Sequence, residues 1–199
     1  ARALILEDGI PIQPALYIYP NMYYNPPVER IDGVQIIKGS AGIKYGPHTM
    51  GGVINYYTRR PSEKKYIKHN IISGNNGYNS YFSELSGFGN SKIRNSLQFL
   101  LKKGNGFRQN NSFKQLNFTS KTSIYQSDKK NIFIKSGINY ENSNATYTGL
   151  TMYSFLNNPK FNPKEHDNFE TFRLSFDVIE TSQLSQKLIR TKKLYSSFF

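Results

Sequence analysis

Val28-Glu29-Arg30-Ile31-Asp32-Gly33-Val34-Gln35-Ile36-Ile37-Lys38-Gly39 leads into Tyr45-Gly46-Pro47-His48-Thr49-Met50-Gly51-Gly52-Val53-Ile54-Asn55, and Arg59-Arg60-Pro61 closes the stretch. Two apolar runs, Val34 to Ile37 and Val53 to Tyr57, flank a segment dense in glycine. Tyr45-Gly46-Pro47 and Gly51-Gly52 bracket a tight loop, since glycine accepts positive φ and close backbone approach without penalty. Val53 to Thr58 then returns as a strand. Glycine-rich loops also cradle phosphates, but no Lys-Ser/Thr pair opening a helix follows this one, which argues against a nucleotide loop. Upstream, a third apolar run from Ala3 to Leu6 enters Glu7-Asp8-Gly9-Ile10-Pro11.

Past Pro61 the composition shifts to Asn, Ser and Lys, and Pro nearly vanishes until Pro159, which marks a domain boundary. Short alternating segments take over. In residues 92–101, Ile93, Leu97, Phe99 and Leu101 share one face with Asn95, while Arg94, Ser96, Gln98 and Lys102 take the other. That period of two is a strand signal. Residues 131–140 and 170–178 alternate in the same way, and weaker segments run over 66–73, 78–87, 114–124 and 187–199. Seven strands with no helix signal between them predict an all-β meander. The connections 87–91, 126–130 and 180–186 are short, whereas 103–112 and 141–169 are long. A soluble β-sandwich and an outer-membrane barrel both fit that alternation; the polar, basic second faces favour the barrel.

Composition removes other classes. The 199 residues carry 26 Lys+Arg against 13 Asp+Glu, a net charge of +13, with no Cys. Disulfide scaffolds, thiolate metal sites and thiol catalysis are therefore excluded. At 37% hydrophobic the chain is poor in apolar residues, yet 15% aromatic content is too high for a disordered one. No run of about 18 apolar residues appears, so no membrane-spanning helix is expected; barrel strands hide their apolarity in alternation.

The quoted stretch resembles the second half of the plug domain of TonB-dependent outer-membrane receptors, whose pattern is an "ERIEVLRG" strand, a "YG…GGVIN" loop and strand, and a basic-Pro exit into a barrel. Leu4-Ile5-Leu6-Glu7-Asp8-Gly9-Ile10-Pro11 resembles the preceding "vLLDGIP" strand. The resemblance implies a mainly β chain: a partial plug domain at 1–61, then antiparallel strands of an incomplete transmembrane β-barrel at 62–199, about seven of the roughly 22 such receptors use. It implies the bacterial outer membrane as location. The TonB box and the first half of the plug would precede Ala1, so coupling to the TonB energy-transducing complex would run through that region. Within the family, Asp8-Gly9-Ile10-Pro11 and Tyr45-Gly46-Pro47 are most similar to the ferric-citrate type. Residues 147–151, 157–159 and 167–169 add a looser likeness.

The same resemblance implies a ligand site for a ferric chelate, ferric citrate or another siderophore, at the plug's apical loops. One apex is residues 13–24, holding Gln13, Tyr17, Tyr19, Tyr23 and Tyr24; Tyr17 falls where related receptors place an aromatic contact. A Tyr offers a flat face and a hydroxyl at low entropic cost. The second apex holds His48, where ferric-citrate relatives commonly place Gln. Arg94, Lys102, Lys103 and Arg108 would form a basic funnel for an anionic ligand, with Arg94 and Arg108 as candidate contacts; solvent or lipopolysaccharide facing the same charges is the plainer reading. The chelator keeps its iron, so no cofactor and no protein metal ligand are expected, and His48, His69 and His166 lack ligand spacing. The family's "LRG" Arg, which locks plug to barrel, is here Lys38, which lacks the planar fork. Its carboxylate partners would lie on strands beyond this chain.

Rival readings remain. A receptor for another siderophore or haem, a transport-incompetent remnant and a surface adhesin share the fold. A soluble basic β protein binding nucleic acid is permitted by charge and Tyr content, but its cations are scattered and nucleic acid is not an expected partner. No catalytic constellation stands out, so no enzyme is expected.

Overall fold

Leu4-Ile5-Leu6-Glu7 forms β1 (Leu4–Glu7), buried at all four positions, as befits a strand covered on both faces. The computed structural model describes residues 3–12, 24–144 and 148–199. β1 pairs antiparallel with β2 (Ile10–Pro11) and parallel with β4 (Val53–Thr58), and β4 pairs antiparallel with β3 (Ile31–Ile37). The order β2-β1-β4-β3 makes a small mixed sheet. Leu4, Leu6 and Val53 pack on one of its faces, and Ile5, Ile12 and Tyr24 on the other.

The segment that resembles the "ERIEVLRG" strand is divided. Val28–Arg30 is a 3-10 turn, and β3 begins at Ile31 with a bulge before Gly33. The glycine-rich loop contains a second 3-10 stretch, Gly39–Tyr45. Gly52 closes it at φ +106°, and a Cβ there would lie 2.6 Å from the Ile37 carbonyl oxygen. That is the close approach the Gly51-Gly52 pair anticipates.

Residues 59–65 carry the chain into a second sheet of seven antiparallel strands, ordered as in sequence: β5 (Tyr66–Ser73), β6 (Asn79–Gly89), β7 (Ile93–Gly104), β8 (Phe113–Ser127), β9 (Lys130–Ser143), β10 (Phe169–Gln183) and β11 (Ile189–Phe198). The strands outrun the sequence expectation at most ends, because long hydrogen-bonded ladders carry polar residues whose alternation is invisible to hydropathy. The connections at 90–92, 128–129 and 184–188 are short; those at 105–112 and 144–168 are long, and they share one end with the brief 74–78.

One helix was not anticipated. α1 (Met152–Asn157) sits in the long connection, started by Thr151, whose hydroxyl accepts from the Ser154 amide. Six residues are too few for a helical period to register in sequence.

Register sorts the two faces of this wall. One bears Ser80, Glu84, Ser96, Gln98, Asn117, Thr119, Lys121, Lys135, Asn139 and Asp177, all buried beneath the small sheet. The other carries exposed and half-buried apolar side chains in cross-strand rows, such as Tyr81, Leu101, Leu116, Tyr140 and Phe172, and then Phe99, Phe118, Ile138, Leu174 and Phe198. From Leu101 to Ile93 on β7 this band rises about 27 Å at 3.4 Å per residue. A barrel tilt of about 40° shortens it to about 21 Å, close to the ~25 Å apolar belt of membrane barrels.

Gly87 lies at the β6 bulge with φ +78°, where the linker crosses and the Ser62 amide donates 2.9 Å to Ser86 Oγ. A Cβ would run into the Lys64 carbonyl. Gly87→Ala in the full-length protein is expected to cost about 1–3 kcal/mol through strain and linker displacement. The midpoint of urea unfolding measures it, with Ser83→Ala as a near-neutral comparison.

Candidate functional site

Where the small sheet meets the wall, local geometry brings two adjacent acids to one cation. Neighbouring strand residues normally point to opposite faces. Glu7 ends β1, but Asp8 and Gly9 follow with φ +54° and +74°, the two-residue turn that Asp-Gly favours. The turn swings Asp8 round so that both carboxylates reach Lys135 of β9. The Lys135 ammonium stands 3.1 Å from Glu7 Oε1, 3.1 Å from Asp8 Oδ2 and 3.2 Å from Asp177 Oδ2 of β10. Its three N–H bonds thus match three carboxylates, two from the small sheet and one from the wall.

Each acid has further donors. Arg30 Nη2 donates 2.9 Å to Glu7 Oε1, and the Tyr24 hydroxyl donates 2.9 Å to Glu7 Oε2. Arg30 also donates to Tyr24 and to Thr119 of the wall. Asp8 accepts the Thr58 amide at 3.0 Å and the Thr58 hydroxyl at 2.8 Å. Around this centre, Arg59 pairs with Glu84 at 3.2 Å, Lys102 with Glu29 at 2.7 Å, and the buried Lys121 ammonium donates 2.8 Å to the Arg59 carbonyl. Apolar contact accompanies the charges: Ile10 packs on Phe133 and Ile179, and Arg60 lies 3.4 Å over the Phe133 ring.

Burial alone would raise the Glu7 carboxyl, but Arg30, Lys135 and Arg173 outweigh it and hold the group far below the ordinary carboxylate range. Burial likewise opposes ionisation of Asp8, and Lys135, Arg60 and the Thr58 amide overcome it. Burial pushes the Tyr24 phenol up, so it stays a donor. The cluster is a latch: paired it is stable, and opened it strands charges with nothing to neutralise them.

The expected site residues distribute differently. Gln13, Tyr17, Tyr19 and Tyr23 lie outside the described residues. His48 is exposed in the glycine-rich loop at φ +65°. Arg108 belongs to the 105–112 connection and donates to the carbonyls of Phe161 (3.0 Å) and Thr148 (3.1 Å), tying it to the long 144–168 connection. Asn162, fully buried, donates to the Gln109 and Asn110 carbonyls from the other side. A cavity of about 380 Å³ lined by Phe107, Arg108, Met152 and Phe155 opens there.

The expected funnel of four cations is not assembled. Arg94 stands at the short-turn end of β7, 2.6 Å from Glu63 and stacked on Tyr125. Lys102 points into the latch and Lys103 to the opposite face, because successive strand residues alternate. Lys38 is exposed, with no ion pair among the described residues. The latch through Arg30 and Lys135 was missed in the sequence. Its one signal was charge, Lys135, Arg173 and Asp177, on strand faces that also carry Asn139, Thr171 and Ser175.

Fold and junction define a class: a plug-like sheet ion-paired to the polar inner face of a membrane-type β wall. The family model "TonB-dependent Receptor Plug Domain" matches residues 1–53. Among solved structures, the unliganded ferric citrate transporter FecA superposes with a TM-score of 0.83 at 16% identity, covering 98% of this chain and 31% of that one. Pseudomonas aeruginosa FpvA bound to a heterologous pyoverdine–iron complex gives 0.79 at 12% identity, over 98% and 27%. The ferric-catecholate import receptor Fiu from E. coli K12 gives 0.72 at 12%, over 97% and 31%. The chain therefore has the fold of TonB-dependent outer-membrane receptors and spans about a third of the length of these structures.

Lys135→Met in the full-length protein removes the shared cation and leaves buried carboxylates, an expected cost of about 3–5 kcal/mol to docking of the small sheet on the wall. Protease accessibility of the plug measures it, with Lys129→Ala on an exposed turn as control. Because Glu7 and Asp8 have depressed folded values, their contribution is complete above the free carboxylate range near pH 4 and is lost as pH falls through the folded values. Hydrogen-exchange protection factors of β1 and β4 amides, each taken relative to the intrinsic rate at the same pH, should stay constant from pH 7 to 5 and fall only below about pH 4.

Proposed function

We propose that this chain forms part of an outer-membrane receptor that binds a ferric chelate at its loop end and imports it with energy from the TonB complex, iron(III) dicitrate being the favoured ligand. The observation that carries the reading is a plug sheet ion-paired to the inner face of membrane-type strands within one chain. Short turns then face the periplasm and the longer connections face outside. The domain division is placed at Pro61, between the two sheets. The likeness to FecA and the Tyr45-Gly46-Pro47-His48 loop support citrate over other chelates. Tyr17 and His48 would supply an aromatic face and a hydrogen-bond donor to the chelate's carboxylates, with Gln13, Tyr19, Tyr23 and Arg108 as further candidate contacts. Arg94, at the periplasmic end, is left out of that site.

Two measurements test this. In the full-length receptor, Tyr17→Ala with His48→Ala should weaken the ferric-citrate-induced fluorescence change at least tenfold in affinity. Unchanged affinity removes both residues from the site, and a stronger response to haem or another siderophore replaces citrate. Ile138→Arg, in the middle of the outer band, should cost about 2–4 kcal/mol of stability in bilayers, read by urea unfolding in vesicles.

A further inference from the structure

Lys103 of β7 and Lys114 of β8 are register partners on the outward face of the wall, directly across the strand pair from each other. Like charges set directly opposite one another on a sheet repel and destabilise it, and an anion between them relieves that repulsion. Neither ammonium has a carboxylate partner among the described residues. The acid in the same cross-strand row, Glu170, stands two strands from Lys114 and three from Lys103, about 10 and 14 Å at sheet spacing, and accepts the Tyr140 hydroxyl at 2.9 Å. The opposite rim is built the other way: Lys130, Arg190 and Lys192 all lie within 3.8 Å of Glu180, so the protein supplies the countercharge itself.

The pair's height on the wall matters as much as its charge. Lys103 and Lys114 occupy the row immediately beyond Tyr81, Leu101, Leu116 and Tyr140, where the apolar band ends in aromatic residues. That is headgroup level at the loop end. A polar groove of about 530 Å³ lies over them, lined by Asn79, Asn105, Ser112 and Asn142 as well as the two lysines. These amides and hydroxyls donate to phosphate oxygens as readily as the ammonium groups do.

We propose that Lys103 and Lys114 form a binding site for the phosphate of an outer-leaflet glycolipid headgroup, which bridges the two ammonium groups and removes their repulsion. The inference rests on the outer-membrane reading, but its test is separate from membrane insertion.

The experiment uses the full-length receptor in neutral detergent with bis-phosphorylated lipid A as probe, bound lipid being counted by native mass spectrometry. Lys103→Gln with Lys114→Gln should lower lipid A occupancy at least tenfold, and dephosphorylated lipid A should bind the unmodified receptor as weakly. The thermal midpoint supplies a second readout with a change of sign. Without lipid the double variant should melt at or above the unmodified receptor, since the repulsion is gone; with lipid A it should melt below. Equal lipid A occupancy in both proteins overturns the proposal, as does a response to inorganic phosphate equal to that for lipid A. Failure of membrane insertion shows in the Ile138→Arg measurement and leaves these outcomes readable in detergent.

Discussion

The Lys135 ammonium, held by Glu7, Asp8 and Asp177, is the interaction on which the arrangement of the two sheets depends. It joins the turn of the small sheet to two strands of the wall through one atom. Removed from water, such a cluster contributes little net stability relative to an apolar contact of equal size, but it is costly to half-break. That asymmetry suits a small sheet held firmly in one seat against the wall. It also localises resistance to movement: Glu7 and Asp8 terminate β1, which pairs in parallel with β4, so displacement of β1 strains the latch before it reaches the wall.

The wall makes the latch possible. A strand with a period of two presents an apolar face to lipid only if its other face accepts everything polar. In this chain the inward face collects Ser, Thr, Asn and Gln, among which a Lys or Asp finds donors, acceptors and partial shielding. The same rule explains why Lys102 and Lys103, adjacent in sequence, serve different surfaces. One pairs with Glu29 inside and the other faces outward at the rim. The sheet is open in this chain, with β5 and β11 at its edges, and a membrane wall requires such edges to be paired.

Much of the fold was legible because alternation and glycine are local signals. The strand β7 was read face by face, from Ile93 and Leu97 to Arg94 and Gln98, and register bears that assignment out. Gly51-Gly52 signalled a close backbone approach, and Gly52 makes it against Ile37. The helix α1 escaped notice because a six-residue turn capped by Thr151 has no period to detect. The sequence grouping of Arg94 with Arg108 failed for a geometric reason: they lie at opposite ends of one long strand and its loop, joined by number but separated by its length.

The sequence by itself determined the mainly β fold, the strand faces and the glycine-rich loop, since these follow from residue type and nearest-neighbour stereochemistry. Only the tertiary structure decided which charges meet. Glu7, Arg30, Lys135 and Asp177 are separated by up to 170 residues, and nothing in local chemistry pairs one inward lysine with a given acid rather than another. Register between strands and the seat of the small sheet against the wall make that choice. A one-residue slip would have turned Lys135 toward lipid and left Glu7 and Asp8 buried without their shared cation.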